Sequence, residues 1–81
     1  LLSVIIPARN ERYLQKTIEN VLENIKGDTE IIVVLDGYWP EEPIKDHPRV
    51  NIIHHSGSRG QRASINEAAR IAKGEYIMKL D

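Results

Sequence analysis

Residues 30–36 read EIIVVLD, in which five consecutive apolar residues stand between two acidic ones. Isoleucine and valine are β-branched, and a short run of such residues without polar alternation is typical of a strand buried on both faces of a sheet. The run is far too short for a membrane-spanning helix, which needs about 20 apolar residues. We therefore predict a buried strand that ends at Asp36.

Three other segments also have strand character. Residues 1–7 (LLSVIIP) are apolar nearly throughout and predict a second buried strand, while 50–55 and 75–81 predict two more. Residues 37–48 hold three prolines and are predicted to form a loop.

Two segments have the periodicity of amphipathic helices. The first is predicted between Asn10, which can cap its start, and Gly27, which can end it. Apolar residues recur along one face of this helix at Leu14, Ile18, Val21, Leu22 and Ile25. The second is predicted at 61–73, with Gly74 as its stop.

The resulting order, β-α-β-loop-β-α-β, predicts an α/β fold in which helices pack on a parallel sheet. Parallel strands share one carboxyl edge, and open sheets of this kind bind ligands at that edge. The residues that follow each strand are therefore the candidates for a binding site.

Those residues combine carboxylates, arginines and small polar groups. The carboxylates are Glu11, Asp36 and Asp81, and the arginines are Arg9, Arg59 and Arg62. Arginine binds phosphate, and carboxylates bind the donors of a base or ribose, or a divalent metal. The set predicts a site for a phosphorylated, hydroxylated ligand.

Composition excludes several other classes of protein. The 11 basic and 12 acidic residues give a net charge of -1, which argues against a general binder of nucleic acid or membrane surfaces. The chain has no cysteine and therefore no disulfide framework or thiolate site. A dehydrogenase or nucleotidyltransferase is disfavoured, because no glycine-rich phosphate loop follows the first strand.

The segments LLSVIIPARNE, EIIVVLDG and INEAARIAKGEYIMKLD together resemble family 2-type glycosyltransferases with the GT-A fold. Such proteins typically read SVIIPxxNE, EIIVVDDGS and N-x-A-x-x-x-A-x-GEYIxFLDxDD. The sequence Arg-Gly-Gln-Arg before an alanine-rich helix is also similar to the polypeptide N-acetylgalactosaminyltransferase branch. The chain departs from the pattern where Gly-Tyr-Trp follows Asp36 and where arginine stands at position 9.

The resemblance implies a Rossmann-like, three-layer parallel sheet of about four strands with two helices, in the strand order 3-2-1-4. Residues 1–81 would be the N-terminal, nucleotide-binding half of a GT-A domain, truncated at its metal motif. The implied function is to bind a nucleotide-diphosphate sugar, with UDP-sugar expected, for transfer of the sugar to an acceptor hydroxyl. The implied location is cytoplasmic, with peripheral membrane association of the parent protein left open.

The resemblance also implies roles for individual residues. Pro7, Arg9 and Glu11 would line the nucleotide pocket, and Asp36 would meet the uracil or ribose. Arg59 and Arg62 would approach the base or diphosphate. Asp81 would be the first aspartate of a DxD-type motif that holds Mn²⁺ or Mg²⁺ against the two phosphates.

Structural interpretations of these residues remain open beside the functional ones. Asp36 followed by glycine is a common turn pair, Glu11 suits the first turn of a helix, and the arginines suit a solvated surface. A non-catalytic nucleotide-binding module is the alternative function.

Histidines and aromatic residues near the predicted edge are assigned structural roles. His54 and His55 are adjacent in a strand and point to opposite faces, so we do not expect them to share a metal. One should be buried or lie at a strand end, and the other should be exposed. Tyr38 and Trp39 are expected to pack the proline-containing loop onto the fold.

Overall fold

The computed structural model describes residues 1–9, 12–25 and 27–80. Its elements are β1 (Leu2–Ala8), α1 (Leu14–Asn24), β2 (Thr29–Asp36), β3 (Val50–His55), α2 (Gln61–Ile71) and β4 (Tyr76–Lys79). The four strands form one sheet in the order β3-β2-β1-β4, and each neighbouring pair is parallel. The predicted α/β class and the strand order 3-2-1-4 are confirmed.

The two helices cover opposite faces of the sheet. Alternate residues of β1 and β2, such as Val4 and Val33, form one core cluster with the apolar stripe of α1. Ile5 and Ile32 belong to a second cluster, which contains Ala68 of α2. Every residue of β2 is buried, because this strand has a neighbour on each side and a helix over each face.

The helices are shorter than the sequence pattern predicts. Helix α1 begins at Leu14, and Tyr13 occupies the N-cap position without a side-chain capping bond. The first turn closes on Tyr13, whose carbonyl oxygen accepts from both the backbone and the hydroxyl of Thr17. The helix does not begin directly after Asn10, and Asn10 itself lies outside the described residues.

The ends of both helices also differ from the prediction. Helix α1 ends at Asn24, and Gly27 lies beyond its C-cap with a φ of 103°. Helix α2 ends at Ile71, two residues before the predicted end at 73, and Ala72 is already extended. Within the part of the chain that the structure describes, no helix is long and apolar enough to cross a membrane.

A buried polar cluster ties the exit of α2 to the amino ends of β1 and β2. The Ser3 hydroxyl donates to Glu30 Oε2 at 2.6 Å, and the backbone N–H of Lys73 donates to the same oxygen. The backbone N–H of Gly74 donates to Ser3 Oγ at 2.9 Å. Burial raises the pKa of Glu30, but these hydrogen bonds outweigh it, so its pKa lies below its ordinary value.

Glycine is required at position 74 because a side chain there would clash with β1, and not because it ends the helix. A Cβ atom at this position would lie 2.5 Å from Ser3 Oγ, 2.7 Å from the Leu1 carbonyl oxygen and 2.8 Å from the Ser3 backbone nitrogen. Two of these three atoms belong to the backbone and cannot turn away. A side chain at position 74 must therefore push the segment before β4 away from β1.

We expect Gly74→Ala to destabilise the protein by about 1–3 kcal/mol, the usual cost of overpacking. Gly57→Ala is the matched control, because a Cβ atom at Gly57 meets nothing within 4 Å. Urea unfolding of the complete protein measures both free energies of unfolding. Equal stability of the two variants would contradict the close approach at Gly74.

Candidate functional site

A pocket opens at the carboxyl edge of the sheet, where β1, β2 and the start of α2 meet. It has a volume of about 210 Å³ and is lined by Pro7, Ala8, Arg9, Asp36, Gln61 and Ser64. Parallel pairing places the ends of β1 and β2 side by side, with Ala8 opposite Leu35. The first turn of α2 closes the third side of the pocket.

Asp36 is the buried carboxylate at this edge, with 5% of its surface exposed. Its Oδ1 atom accepts from the backbone N–H of Arg59 at 2.7 Å and lies 3.0 Å from Nδ1 of His55. Its Oδ2 atom accepts from the Ser58 hydroxyl and from the backbone N–H of Gly60, both at 2.9 Å. A carboxylate has about four acceptor positions, so partners within the chain occupy all of them.

These hydrogen bonds keep Asp36 ionised. The backbone N–H of Arg59 and the side chain of His55 hold the pKa of Asp36 far below its ordinary value, although burial acts in the opposite direction. The negative charge is therefore permanent at neutral pH. It fixes residues 58–60, the segment that leads into α2, against the end of β2.

His55 lies between two carboxylates. Its Nδ1 atom faces Asp36, and its Nε2 atom lies 2.5 Å from Oε2 of Glu67 on α2. Only 3% of the residue is exposed. An imidazolium donates from both nitrogens, so the charged form satisfies both carboxylates at once. Asp36 and then Glu67 raise the pKa of His55, against the effect of burial, and the charged form is favoured.

Gly37 allows the loop after β3 to pack directly on the end of β2. It has a φ of 83°, and a Cβ atom there would lie 2.7 Å from the backbone nitrogen of Ser58. Its N–H donates to the carbonyl oxygen of His55 at 3.1 Å. Glycine at position 37 thus permits both the left-handed backbone and the close packing of Ser58, whose hydroxyl donates to Asp36.

A family model described as glycosyl transferase family 2 matches residues 3–81. The chain belongs to this family. An uncharacterized glycosyltransferase of Methanocaldococcus jannaschii is 36% identical over 90 residues, a match that covers 100% of this chain and 31% of the relative. The glycosyltransferase GlyG of Streptococcus pneumoniae is 31% identical over 88 residues, with 100% of this chain and 29% of that protein covered.

A putative colanic acid biosynthesis glycosyl transferase of Escherichia coli, WcaA, is also 31% identical over 88 residues, with 100% of this chain and 32% of that protein covered. The family 2 chain thus spans about 30% of the length of these relatives. The matches support family 2 in general and give no support to the polypeptide N-acetylgalactosaminyltransferase branch.

The fold brings together three of the residues predicted for the site of this family 2 chain. Pro7, Arg9 and Asp36 line the same pocket. Glu11 and Asp81 lie outside the described residues. The β1–β4 pairing continues to Leu80, whose N–H donates to the carbonyl oxygen of Ile5 at 2.9 Å.

The other two predicted arginines are placed differently from Arg9. Arg59 contributes its backbone N–H to Asp36, while its side chain belongs to an exposed residue of the loop. Arg62 is the second residue of α2 and is exposed. Neither of these two arginines belongs to the described residues that line the pocket.

Sequence reasoning missed the link from His55 to Asp36 and Glu67. It did predict that the two histidines point to opposite faces, with one buried and the other exposed. His55 is buried as predicted, whereas His54 is half-buried and not exposed. Trp39 packs on His54 with ring centroids 3.7 Å apart, as a loop-packing role requires, yet the residue is 70% exposed. One sequence feature could have indicated this link: the carboxylate of Asp36 ends one strand, and His55 ends the next strand along the chain, which pairs with it.

The raised pKa of His55 has a consequence for stability. A group whose pKa is higher in the folded than in the unfolded state contributes its full stabilisation of the fold below its unfolded pKa, which is about 6.5 for histidine. This contribution is lost as pH rises through the pKa of the folded state. Asp36 has a lowered pKa and is ionised in both the folded and the unfolded state above about pH 5. It therefore does not make the free energy of unfolding depend on pH in that range.

We expect Glu67→Gln to lower the folded pKa of His55, because the variant removes one of its two neighbouring negative charges. The variant should be less stable than the wild type near pH 6, and the difference should shrink toward pH 9. Urea unfolding across this range is the measurement, with Glu23→Gln on an exposed position of α1 as control. A difference that stays constant with pH would contradict a charged His55.

Proposed function

We propose that this chain forms the donor-binding part of a glycosyltransferase that uses a nucleotide-diphosphate sugar. The observation that carries the proposal is that a family 2 chain has a pocket at the carboxyl edge of its sheet, with Arg9 on its wall. Open α/β sheets bind ligands at this edge. UDP-sugar is the donor that we expect.

The chemistry of the pocket suits a phosphorylated ligand. Arg9 offers a guanidinium, which pairs with phosphate through parallel hydrogen bonds. Gln61 and Ser64 bring the N-terminal turn of an 11-residue helix to the same pocket, and a helix N-terminus favours negative charge. The volume of about 210 Å³ is below the roughly 300–1,000 Å³ of typical ligand pockets, so we assign it one part of the nucleotide.

The proposed nucleotide-sugar-binding residues are Pro7, Arg9, Glu11, Asp36, Arg59, Arg62 and Asp81. Pro7 and Arg9 are supported by their position in the pocket. Asp36 is supported there as well, but its acceptor positions are filled, so we assign it the role of holding the loop beside the ligand. Glu11 and Asp81 rest on the family resemblance alone.

The arginines outside the pocket have a related part in the proposal. Arg59 follows Ser58 in the loop that Asp36 fixes, and Arg62 lies on the first turn of α2. Both are exposed and can approach a diphosphate that extends out of the pocket.

Peripheral membrane association of the complete protein also belongs to this proposal, and it rests on the family resemblance alone.

The described residues of the pocket do not themselves fit a metal site. Asp36 is the carboxylate that lines it, and hydrogen bonds from within the chain occupy both of its oxygens. A divalent ion, Mn²⁺ or Mg²⁺, would therefore depend on Asp81. This role of Asp81 is a proposal from the resemblance, since hard cations take carboxylate oxygens as ligands.

Transfer of the sugar to an acceptor hydroxyl needs further residues. An inverting enzyme uses a general base to deprotonate the acceptor. Asp36 does not suit this role, because its charge is stabilised by four hydrogen bonds and its pKa is far below neutral. A nucleotide-binding module without chemistry is the competing proposal, and assay of sugar transfer by the complete protein separates the two.

Calorimetric titration of the complete protein with UDP, with Mn²⁺ or with chelator, tests the proposal. We expect tighter binding with the metal and loss of most of that gain in Asp81→Ala. Asp36→Ala should weaken binding about ten- to a hundredfold under both conditions, because the loop beside the pocket loses its anchor.

Asp46→Ala, on an exposed position of the proline-containing loop, is the matched control and should bind UDP as the wild type does. Equal affinity with metal and with chelator would contradict the role of Asp81. No UDP binding under either condition would contradict the proposed function itself.

A further inference from the structure

We propose that His55 and Glu67 are positioning residues that make nucleotide binding at this pocket depend on pH, because protonated His55 holds α2 in its binding position. This inference rests on the proposed function. It adds a control of affinity by two residues that do not line the pocket and act on it through Asp36 and α2.

The start of α2 is fixed by Asp36. The backbone N–H groups of Arg59 and Gly60 and the hydroxyl of Ser58 all donate to this carboxylate. Gly60 is the N-cap residue of α2, and Gln61 and Ser64 follow it into the pocket. A movement of Asp36 relative to α2 therefore changes the shape of the pocket.

The middle of α2 is fixed to the same aspartate through His55. Glu67 lies six residues after Gln61 and accepts from Nε2 of His55, while Nδ1 of His55 faces Asp36. The helix is thus tied to the end of β2 at two points along its length. This second attachment acts beside the packing of Ala68 and the bond of Lys73 to Glu30, and it fixes how the first half of the helix lies against the end of β2.

Loss of one proton from His55 breaks one of these attachments. A neutral imidazole has one donor nitrogen and one acceptor nitrogen, so one of the two facing carboxylates loses its hydrogen bond. Asp36 keeps three other donors, whereas the Glu67 side chain is 38% exposed and can turn toward water. We therefore assign the release to the Glu67 end, which removes one restraint on the middle of α2 while Ala68 keeps the helix packed on the sheet.

Charge acts in the same direction as this release. The groups that face His55 are Asp36 from β2, Glu67 from α2 and Arg59 from the loop. Protonated His55 offsets the negative charge of Asp36, which lies on the pocket wall. Neutral His55 leaves that charge closer to uncompensated, and a nucleoside diphosphate is then repelled more strongly.

The expected pH range lies above the ordinary pKa of histidine. Asp36 and Glu67 raise the pKa of His55 above this value of about 6.5. The phosphate groups of UDP complete their own titration near pH 6, so their charge is nearly constant from pH 7 to 9. A change of affinity in that range therefore does not come from the phosphate groups, and agreement with the His55 titration assigns it to the protein.

The experiment measures the Kd of UDP for the complete protein from pH 7 to 9, at fixed ionic strength and metal concentration, beside an NMR titration of the His55 ring. We expect the Kd to rise at least about fivefold, the lower end of typical coupling between two sites, with its midpoint at the measured pKa of His55. Glu67→Ala removes the acceptor that His55 Nε2 faces, so it should bind more weakly than the wild type below the His55 titration and equally above it. Circular dichroism establishes that the variant is folded.

Glu23→Gln is the control and should follow the wild-type profile, because Glu23 is an exposed residue of α1. A constant Kd, or a midpoint away from the His55 titration, would overturn the inference. A purely structural role of Glu67 would weaken binding equally at all pH values, which also overturns it. Failure of the wild type to bind UDP at any pH would reject the proposed function as well.

Discussion

The hydrogen bonds to the carboxylate of Asp36 are the interactions on which the structure at the carboxyl edge of the sheet depends. It is buried at the end of the central strand β2 and accepts hydrogen bonds from β3, from the following loop and from the N-cap of α2. A buried charge is tolerated only when such partners replace the water it has lost. The end of β3, the loop that follows it and the start of α2 are thereby fixed around one side chain, and the pocket lies beside it.

The two acidic residues that flank the apolar run of β2 have parallel roles at opposite ends of the strand. Glu30 accepts from the backbone N–H of Lys73, just after α2, and Asp36 accepts from that of Gly60, just before it. The strand thus carries one buried carboxylate for each end of the same helix. Apolar contacts of Ile32 and Val34 with Ala68 fill the space between them. Apolar burial supplies most of the driving force, and the two carboxylates set where the helix begins and ends.

Much of the fold follows from the sequence, because continuous β-branched runs and a 3.6-residue periodicity are visible without knowledge of the tertiary contacts. The position of Asp36 at the carboxyl edge of the sheet follows as well, since parallel strands share that edge. The partners of Asp36 do not follow, because they depend on the register that places it opposite His55 and on where Glu67 falls over the sheet. The start of α1 at Leu14 and the contact of Gly74 with Ser3 also depend on packing between distant segments.

Amide hydrogen exchange at Arg59 and Gly60 tests most directly whether Asp36 organises this edge. Both amides lie in a loop outside the helices and strands, yet both donate to a buried carboxylate. We predict that they exchange slowly in the native protein, at rates like those of β2 amides, and rapidly in Asp36→Ala, while the Ala68 amide of α2 stays protected. Rapid exchange of Arg59 and Gly60 in the native protein would contradict the central role of Asp36.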